Sequence, residues 1–194
     1  MRAQAHTLEG VAAAIVVVAA VAFTLQGTAV TPLTASTASQ HIETQHERAA
    51  ASLLETSQSD GTLSATLRYW NASGGEFANA DRNGYYVGNA SNTTFGGALV
   101  ETFNGTDRAV AVNVYVYYVT AAGDRRQRRL VYTGEPSADS VGASRTVTVY
   151  DDEQVVDADG DPAGPRVENA SFLGPDSPGP VYGVYTVEVV AWRT

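Results

Sequence analysis

The stretch AVAVNVYVYYVT, residues 109–120, decides the fold of the larger part of this 194-residue chain. β-branched and aromatic residues dominate it, as they do in the strands of antiparallel sheets. The side chains of a strand alternate between two faces, so four valines share one face: Val110, Val112, Val114 and Val116. We therefore predict a strand with one face directed into a hydrophobic core.

Runs of the same character lie on both sides of this stretch, separated by Gly, Asn, Asp and Pro. They are TLSATLRYW (62–70), ALVETF (98–103), QRRLVYT (127–133), SRTVTVYD (144–151) and VYGVYTVEVVAWR (181–193). We expect essentially no helical pattern in this part of the chain, which is long enough for one hydrophobic core. The runs predict an antiparallel β-sheet or β-sandwich over residues 61–194.

The N-terminal part is uncharged and apolar instead. No Asp, Glu, Lys or Arg lies between Glu9 and Glu43, and residues 10–25 are almost entirely apolar. Extended to Val30, this segment reaches the length of about 20 residues that a helix needs to cross a bilayer. Arg2 precedes the segment, so the positive-inside rule places the N-terminus in the cytoplasm and the C-terminal body outside.

A second helical segment follows the apolar one. Pro32 is expected to kink or interrupt the helix. Residues 39–58 are rich in good helix formers, and Ser59, Asp60 and Gly61 supply the residues that end a helix. The predicted organisation is therefore α+β, in four parts: a short leader (1–4), a transmembrane or assembly helix (5–30), an extended helical stalk (31–60) and a β-rich domain (61–194).

Glu9 stands directly before the apolar run, an unusual place for a charge in a plain anchor or a secretory signal. With Arg2, Ala3 and Gln4 in front and residues 10–30 behind, the segment resembles the class III signal of archaeal type IV pilins. The resemblance implies that a prepilin peptidase removes the leader, between Ala3 and Gln4 or between Gln4 and Ala5. It also implies that Glu9 faces the amino group of a neighbouring pilin-like subunit.

Longer stretches extend this resemblance over nearly the whole chain. They are RAQAHTLEGVAAA (2–14), AVTPLTASTASQHIE (29–43), LRYWN (67–71), GEPSADSVGASRTVTVYDD (134–152) and VEVVAWR (187–193). These stretches are similar to an uncharacterised pilin-like membrane family of halophilic archaea. The resemblance implies a membrane location and a pilin-like class, and it implies no reaction.

Composition excludes several kinds of site. The chain has no cysteine, so it has no disulfide, thiol nucleophile or iron–sulfur cluster. All three histidines lie near the N-terminus (His6, His41 and His46), so a Ser-His-Asp triad cannot form within the body. Glycine loops that bind phosphates or dinucleotides are also absent from the sequence. We expect no enzyme activity, no small-molecule substrate and no resident cofactor.

The charge balance narrows the range of partners. The 21 acidic residues outnumber the 12 basic ones, all of which are arginine, and the net charge is -9. This balance argues against a nucleic-acid partner. An acid-rich, lysine-free composition is typical of proteins that work in concentrated salt, where the Debye length falls to about 3 Å. The expected partners are the membrane, other pilin-like subunits and a prepilin peptidase.

Two kinds of modification or ligand site are candidates in the body. Five N-x-[ST] sequons mark acceptors for glycosylation: Asn71, Asn89, Asn92, Asn104 and Asn169. Asp157, Asp159 and Asp161 alternate around Gly160 as in part of a calcium loop, although the full EF-hand spacing fails. A solvated acidic turn is the favoured interpretation of these three aspartates.

Two further clusters allow more than one interpretation. Four arginines follow a predicted hairpin tip at Gly123: Arg125, Arg126, Arg128 and Arg129. Alternation in a strand divides them between two faces, which favours an edge strand guarded against aggregation over a single binding patch. Six aromatic residues form either a sugar-stacking platform or, the favoured interpretation, strand packing: Tyr115, Tyr117, Tyr118, Tyr182, Tyr185 and Trp192.

Together these features predict a membrane-anchored, pilin-like structural subunit, of a minor or pseudopilin type, that displays an acidic β domain at the cell surface. The alternative is an uncleaved single-pass anchor that carries a β-domain binding module on the cell envelope.

Overall fold

The structure is a computed structural model that describes residues 2–87, 93–104 and 110–194. Within these ranges, side chains are described for residues 9–24 and from Gln40 onward, except for Asn104. The chain divides into two compact units, Met1–Ile42 and Glu43–Thr194.

The first helix, α1, runs from Arg2 to Ser59. It ends where the sequence predicted: the Asp60 amide donates to the Thr56 carbonyl at 3.0 Å, and Gly61 then turns the chain with a φ of 80°. Pro32 does not interrupt it. Proline removes one backbone hydrogen bond, and the good helix formers on its C-terminal side carry the helix onward.

Two segments predicted as strands are helices. Residues 62–68 of the first run form α2, Thr62–Arg68, and the ALVETF run lies within α3, Thr94–Asn104. In α2 the buried residues are Leu63, Thr66 and Leu67, the spacing of one helical face. The prediction was wrong because Leu63 and Leu67 are four residues apart, a spacing that fits both a strand face and a helix face.

Eight strands complete the described part of the chain. They are β1 (Trp70–Asn71), β2 (Glu76–Phe77), β3 (Val110–Val119), β4 (Arg125–Val131), β5 (Val141–Tyr150), β6 (Gln154–Val156), β7 (Pro162–Arg166) and β8 (Val181–Arg193). A four-stranded antiparallel sheet has the order β4-β3-β8-β5, and β1-β2 and β6-β7 form two-stranded ribbons. The four strands of the large sheet coincide with predicted runs.

Helices cover one face of the large sheet, which we call the inner face. There, Val114 and Val116 of β3 and Val187 and Val189 of β8 are fully buried. They share one core with residues of α1 (Ala50, Leu53 and Leu54), α2 (Leu63 and Leu67) and α3 (Phe95, Leu99 and Phe103). The predicted α+β class with an antiparallel sheet is confirmed, and the buried face of this sheet packs on helices.

Candidate functional site

Among the described residues, an exposed apolar surface lies on the segment of α1 formed by residues 9–24. Every side chain described in this segment is exposed. The large apolar side chains are between 52% and 80% exposed: Val11, Ile15, Val16, Val17, Val18, Val21 and Phe23. In soluble proteins, exposed apolar surfaces of this extent are typical of sites that contact other proteins or lipids.

Both ends of the apolar segment carry a polar group. The Thr24 hydroxyl donates to the carbonyls of Ala20 (3.0 Å) and Val21 (2.9 Å), so the helix itself satisfies this polar side chain. Glu9 lies exposed at the start of the segment. The side chains of Ala3 and Gln4, and of residues 25–30 in the predicted span, lie outside the described residues.

Among the described residues, none of the helices combines the length and the apolar character that a membrane crossing requires.

The four arginines divide between the faces of the sheet as predicted. On the outer face, the Arg125 guanidinium lies 4.2 Å from the centre of the Tyr117 ring, and that of Arg129 lies 3.8 Å from the Tyr132 ring. Arg128 instead lies over Trp70 at 5.0 Å and donates to the Gly75 carbonyl at 3.1 Å. β4 is an edge strand of the large sheet, the position in which the guarding interpretation places these arginines.

The six aromatic residues do not form one platform. Tyr182, Tyr185 and Trp192 are buried, and Tyr118 packs against the core. The Tyr185 hydroxyl donates to the Leu173 carbonyl at 2.6 Å, and burial raises the pKa of this hydroxyl well above its usual range. The packing interpretation is confirmed for these residues.

On the outer face, Tyr117 donates its hydroxyl to the Glu188 carboxylate at 2.6 Å. Burial, followed by this hydrogen bond, raises the pKa of Tyr117 to about 12. The neighbouring carboxylate disfavours the phenolate because two negative charges would then lie in contact.

The acidic turn is stabilised by one of its own carboxylates, that of Asp157. Asp157 Oδ1 accepts the backbone amides of Asp159 and Asp161, each at 3.0 Å, and Gly160 turns the chain with a φ of 93°. Where side chains are described, no three acidic or histidine residues are grouped in a way that would hold a metal ion. The geometry matches the solvated-turn interpretation, and the calcium site stays a prediction.

Asn113 is a residue whose role the sequence did not reveal. It is fully buried within β3, its amide donates to Tyr115 Oη and to the Gly134 carbonyl at 2.8 Å, and its oxygen accepts the Thr133 amide at 2.8 Å. The signal in the sequence was a lone amide in a run of β-branched and aromatic residues. It ties β3 to the chain that follows β4.

Two of the five sequons have described side chains, at Asn71 and Asn169, and both asparagines are exposed. The structure brings these two sequons together, because the Ser171 amide donates to the Ala72 carbonyl at 3.3 Å. Asn89 and Asn92 lie outside the described residues, as does the side chain of Asn104.

Residues 2–191 match a protein family described as a family of unknown function (DUF7288). The chain belongs to this family. The match covers both the apolar segment of α1 and the packed body, so the family includes both parts of the chain. No curated protein and no solved structure matches the chain.

Proposed function

We propose that this protein is a pilin-like structural subunit, in which the apolar segment of α1 lies in the membrane before assembly and then packs against other subunits. The packed body, Glu43–Thr194, is displayed outside the cell. The observation that supports this proposal is the exposed apolar surface of residues 9–24, joined to a body with its own hydrophobic core.

The free energy of covering this surface is large. Burying one Val, Ile or Phe side chain is worth about 1.5–3 kcal/mol, and seven such side chains are exposed here. Glycine and alanine residues lie among them, and small side chains let helices approach closely. They are Gly10, Ala12, Ala13, Ala14, Ala19, Ala20 and Ala22. A bundle of equivalent helices therefore suits the composition of the segment.

Glu9 has a specific place in this proposal. A carboxylate at the edge of an apolar helix bundle is costly unless a positive charge lies near it. Removal of the leader would create an α-amino group, and the amino group of the next subunit is the cation that such a bundle supplies. Pairing across subunits would then fix the register of neighbouring helices.

The charge of the chain fits an external body. No charged residue lies between Glu9 and Glu43, and the charges of Arg2 and Glu9 cancel, so the whole net charge of -9 belongs to residues 43–194. Surface carboxylates keep such a domain hydrated and soluble in concentrated salt. The proposed partners are the membrane, other pilin-like subunits and a prepilin peptidase, and the protein is proposed to have no enzymatic role.

Expression with the cognate prepilin peptidase, followed by mass spectrometry of the N-terminus, tests the proposal. We expect a mature chain that starts at Gln4 or Ala5, and an intact N-terminus when an inactive peptidase replaces the active one. A membrane-bound protein that keeps Met1 or Arg2 in the presence of active peptidase would contradict the pilin-like function.

Glu9→Ala tests the pairing role separately. We expect cleavage to proceed and recovery of assembled subunits to fall, with Glu9→Asp as the matched control that keeps the charge. Normal assembly of Glu9→Ala would refute the pairing.

The second candidate is an uncleaved anchor that carries a binding module, and the outer face of the sheet favours it. The aromatic rings of Tyr117 and Tyr132, each stacked with an arginine, offer a face of mixed aromatic and polar character. An intact N-terminus together with retention in the membrane would support this candidate over the first.

A further inference from the structure

We propose that Asn71 and Asn169 are two neighbouring acceptors that together form one N-glycosylated patch on the body. This inference rests on the proposed function in one respect, since glycan transfer requires the body to lie outside the membrane. The two sequons are Asn71-Ala72-Ser73 and Asn169-Ala170-Ser171. The positions of the two sequons in the sequence do not predict that they lie close together in the fold.

The first sequon forms the tip of the β1–β2 hairpin. Asn71 Oδ1 accepts the backbone amides of Ser73 (3.2 Å) and Gly74 (3.1 Å), so the side-chain oxygen is held by the turn. Asn71 and Ser73 are exposed, whereas Ala72 between them is half-buried. A transferase therefore meets both the amide and the hydroxyl that the reaction requires.

The second sequon has the same pattern of exposure. Asn169 ends a 3-10 turn, Val167–Asn169, and Ala170 continues in an extended conformation. Asn169 and Ser171 are exposed and Ala170 is half-buried. The Asn169 amide makes one long contact, 3.5 Å to the Glu168 carboxylate, in a surface position.

Contacts with one aromatic cluster fix the two sequons relative to each other. The Trp70 indole nitrogen donates to the Ser171 carbonyl at 2.7 Å, and the Trp70 and Phe172 rings lie 5.2 Å apart. The Ser171 amide donates to the Ala72 carbonyl at 3.3 Å. From this bond and the reach of the intervening residues, the Cα atoms of the two asparagines are at most about 18 Å apart.

The chemistry is transfer of an oligosaccharide from a lipid-linked phosphate donor. The asparagine Nδ2 forms a bond to the anomeric carbon of the first sugar, and the bond from that carbon to the donor phosphate oxygen breaks. Nδ2 loses one proton, and the lipid phosphate leaves as the second product. No residue of this chain has to act as a catalyst.

Trypsin places the two acceptors on different peptides, because the chain has no lysine and arginines lie between the acceptors in the sequence. Cleavage at arginine puts Asn71 on peptide 69–82, Asn169 on peptide 167–193 and the other three sequons on peptide 83–108. The full chain is produced in the cell type that encodes it, and mass spectrometry of these peptides measures glycan occupancy at each position.

We expect glycan on both peptides, 69–82 and 167–193. Ser73→Ala should remove it from the first alone and Ser171→Ala from the second alone, whereas Ser73→Thr and Ser171→Thr should keep it. Gly74→Ala should lower occupancy at Asn71, because the added Cβ would lie 2.6 Å from Asn71 Nδ2 and displace the amide. Gly134→Ala, where a Cβ meets no atom within 4 Å, is the matched control.

Absence of glycan from either peptide of the native chain would overturn the inference, even with glycan on peptide 83–108. Protease treatment of intact cells, read on the same chain, distinguishes this failure from failure of the proposed function. If the body carries no glycan and the protease cleaves it, the glycan patch is refuted and the pilin-like function is not. If the body carries no glycan and is protected inside the cell, both proposals are refuted.

Discussion

Single residues in this protein decide how the sheet is held together, and Asn113 is the clearest case. It is a polar residue with no exposed surface, in the middle of an apolar strand. Two of its three hydrogen bonds join β3 to residues 133 and 134, and the third is to Tyr115 of β3 itself. A buried amide satisfied in this way specifies one register of the chain after β4, because any slip would leave polar groups unpaired.

Asn113→Val should therefore destabilise the fold although it adds apolar surface to a strand. The Thr133 amide and the Gly134 carbonyl would lose their partner at a part-buried site, and a hydrogen bond of this kind contributes about 0.5–1.5 kcal/mol. Chemical denaturation measures the free energy of unfolding. Ser144→Val, at an exposed position of β5, is the control and should change it by less than about 0.5 kcal/mol. Equal effects of the two substitutions would contradict the role of Asn113.

The Tyr117 hydroxyl predicts a pH dependence. Its pKa is raised to about 12 in the folded protein by burial and by Glu188, against 10.0 normally. The folded state binds this proton more tightly, so the stabilisation is complete below pH 10 and is lost as pH rises toward about 12. Between pH 10 and about 12, the free energy of unfolding should fall less for Tyr117→Phe than for the native chain, and chemical denaturation measures this difference. Tyr150→Phe, at an exposed position, should behave as the native chain does.

Elements show where local pattern and tertiary structure agree. β8 runs from Val181 to Arg193, the bounds of the predicted run, and the pairing of β3 with β4 places Arg125 and Arg129 on one face and Arg128 on the other. α2 and α3 are the exceptions. In short runs the apolar positions fit two periods, so the packing of Leu63 and Leu67 against the core selects the helix.

Among the helices and strands, α1 is the element most relevant to the proposed function. Val17→Asp should reduce recovery of membrane-bound and assembled protein, because a charge in the middle of an apolar helix costs about 2.5–3.5 kcal/mol on insertion. Val184→Asp is the matched control, since Val184 is 55% exposed and Val17 60%. Fractionation of membranes and filaments measures the effect. Equal recovery of the two variants would show that the apolar segment has no such role.

The whole molecule consists of two units, and the boundary lies inside α1. The second unit begins at Glu43, although the β-rich domain was predicted to begin at residue 61. The difference has a physical cause, because the last turns of α1 contribute Ala50, Leu53 and Leu54 to the core of the body. These turns are structural parts of the body as well as a connection to the apolar segment.

A pair of fragments tests this boundary. Residues 43–194 should fold by themselves and unfold in one cooperative transition, because they retain the whole core. Residues 61–194 should be much less stable, since removal of a single buried leucine side chain costs about 2–5 kcal/mol and this fragment lacks two. Thermal and chemical denaturation compare the fragments, and equal stability would place the boundary at residue 61.

The sequence by itself determined the end of α1, the strands of the large sheet and the division of the arginines between its faces. These features follow from the periodicity of apolar residues and from the local effect that a residue has on positions close to it in the sequence. Tertiary structure alone decided that residues 62–68 and 94–104 are helical, that Asn113 is fully satisfied and that two sequons share one surface. The Trp70 indole reaches Ser171, 101 residues later in the chain, and a contact of that range leaves no periodic trace in the sequence. Only packing against a common core brings such residues together.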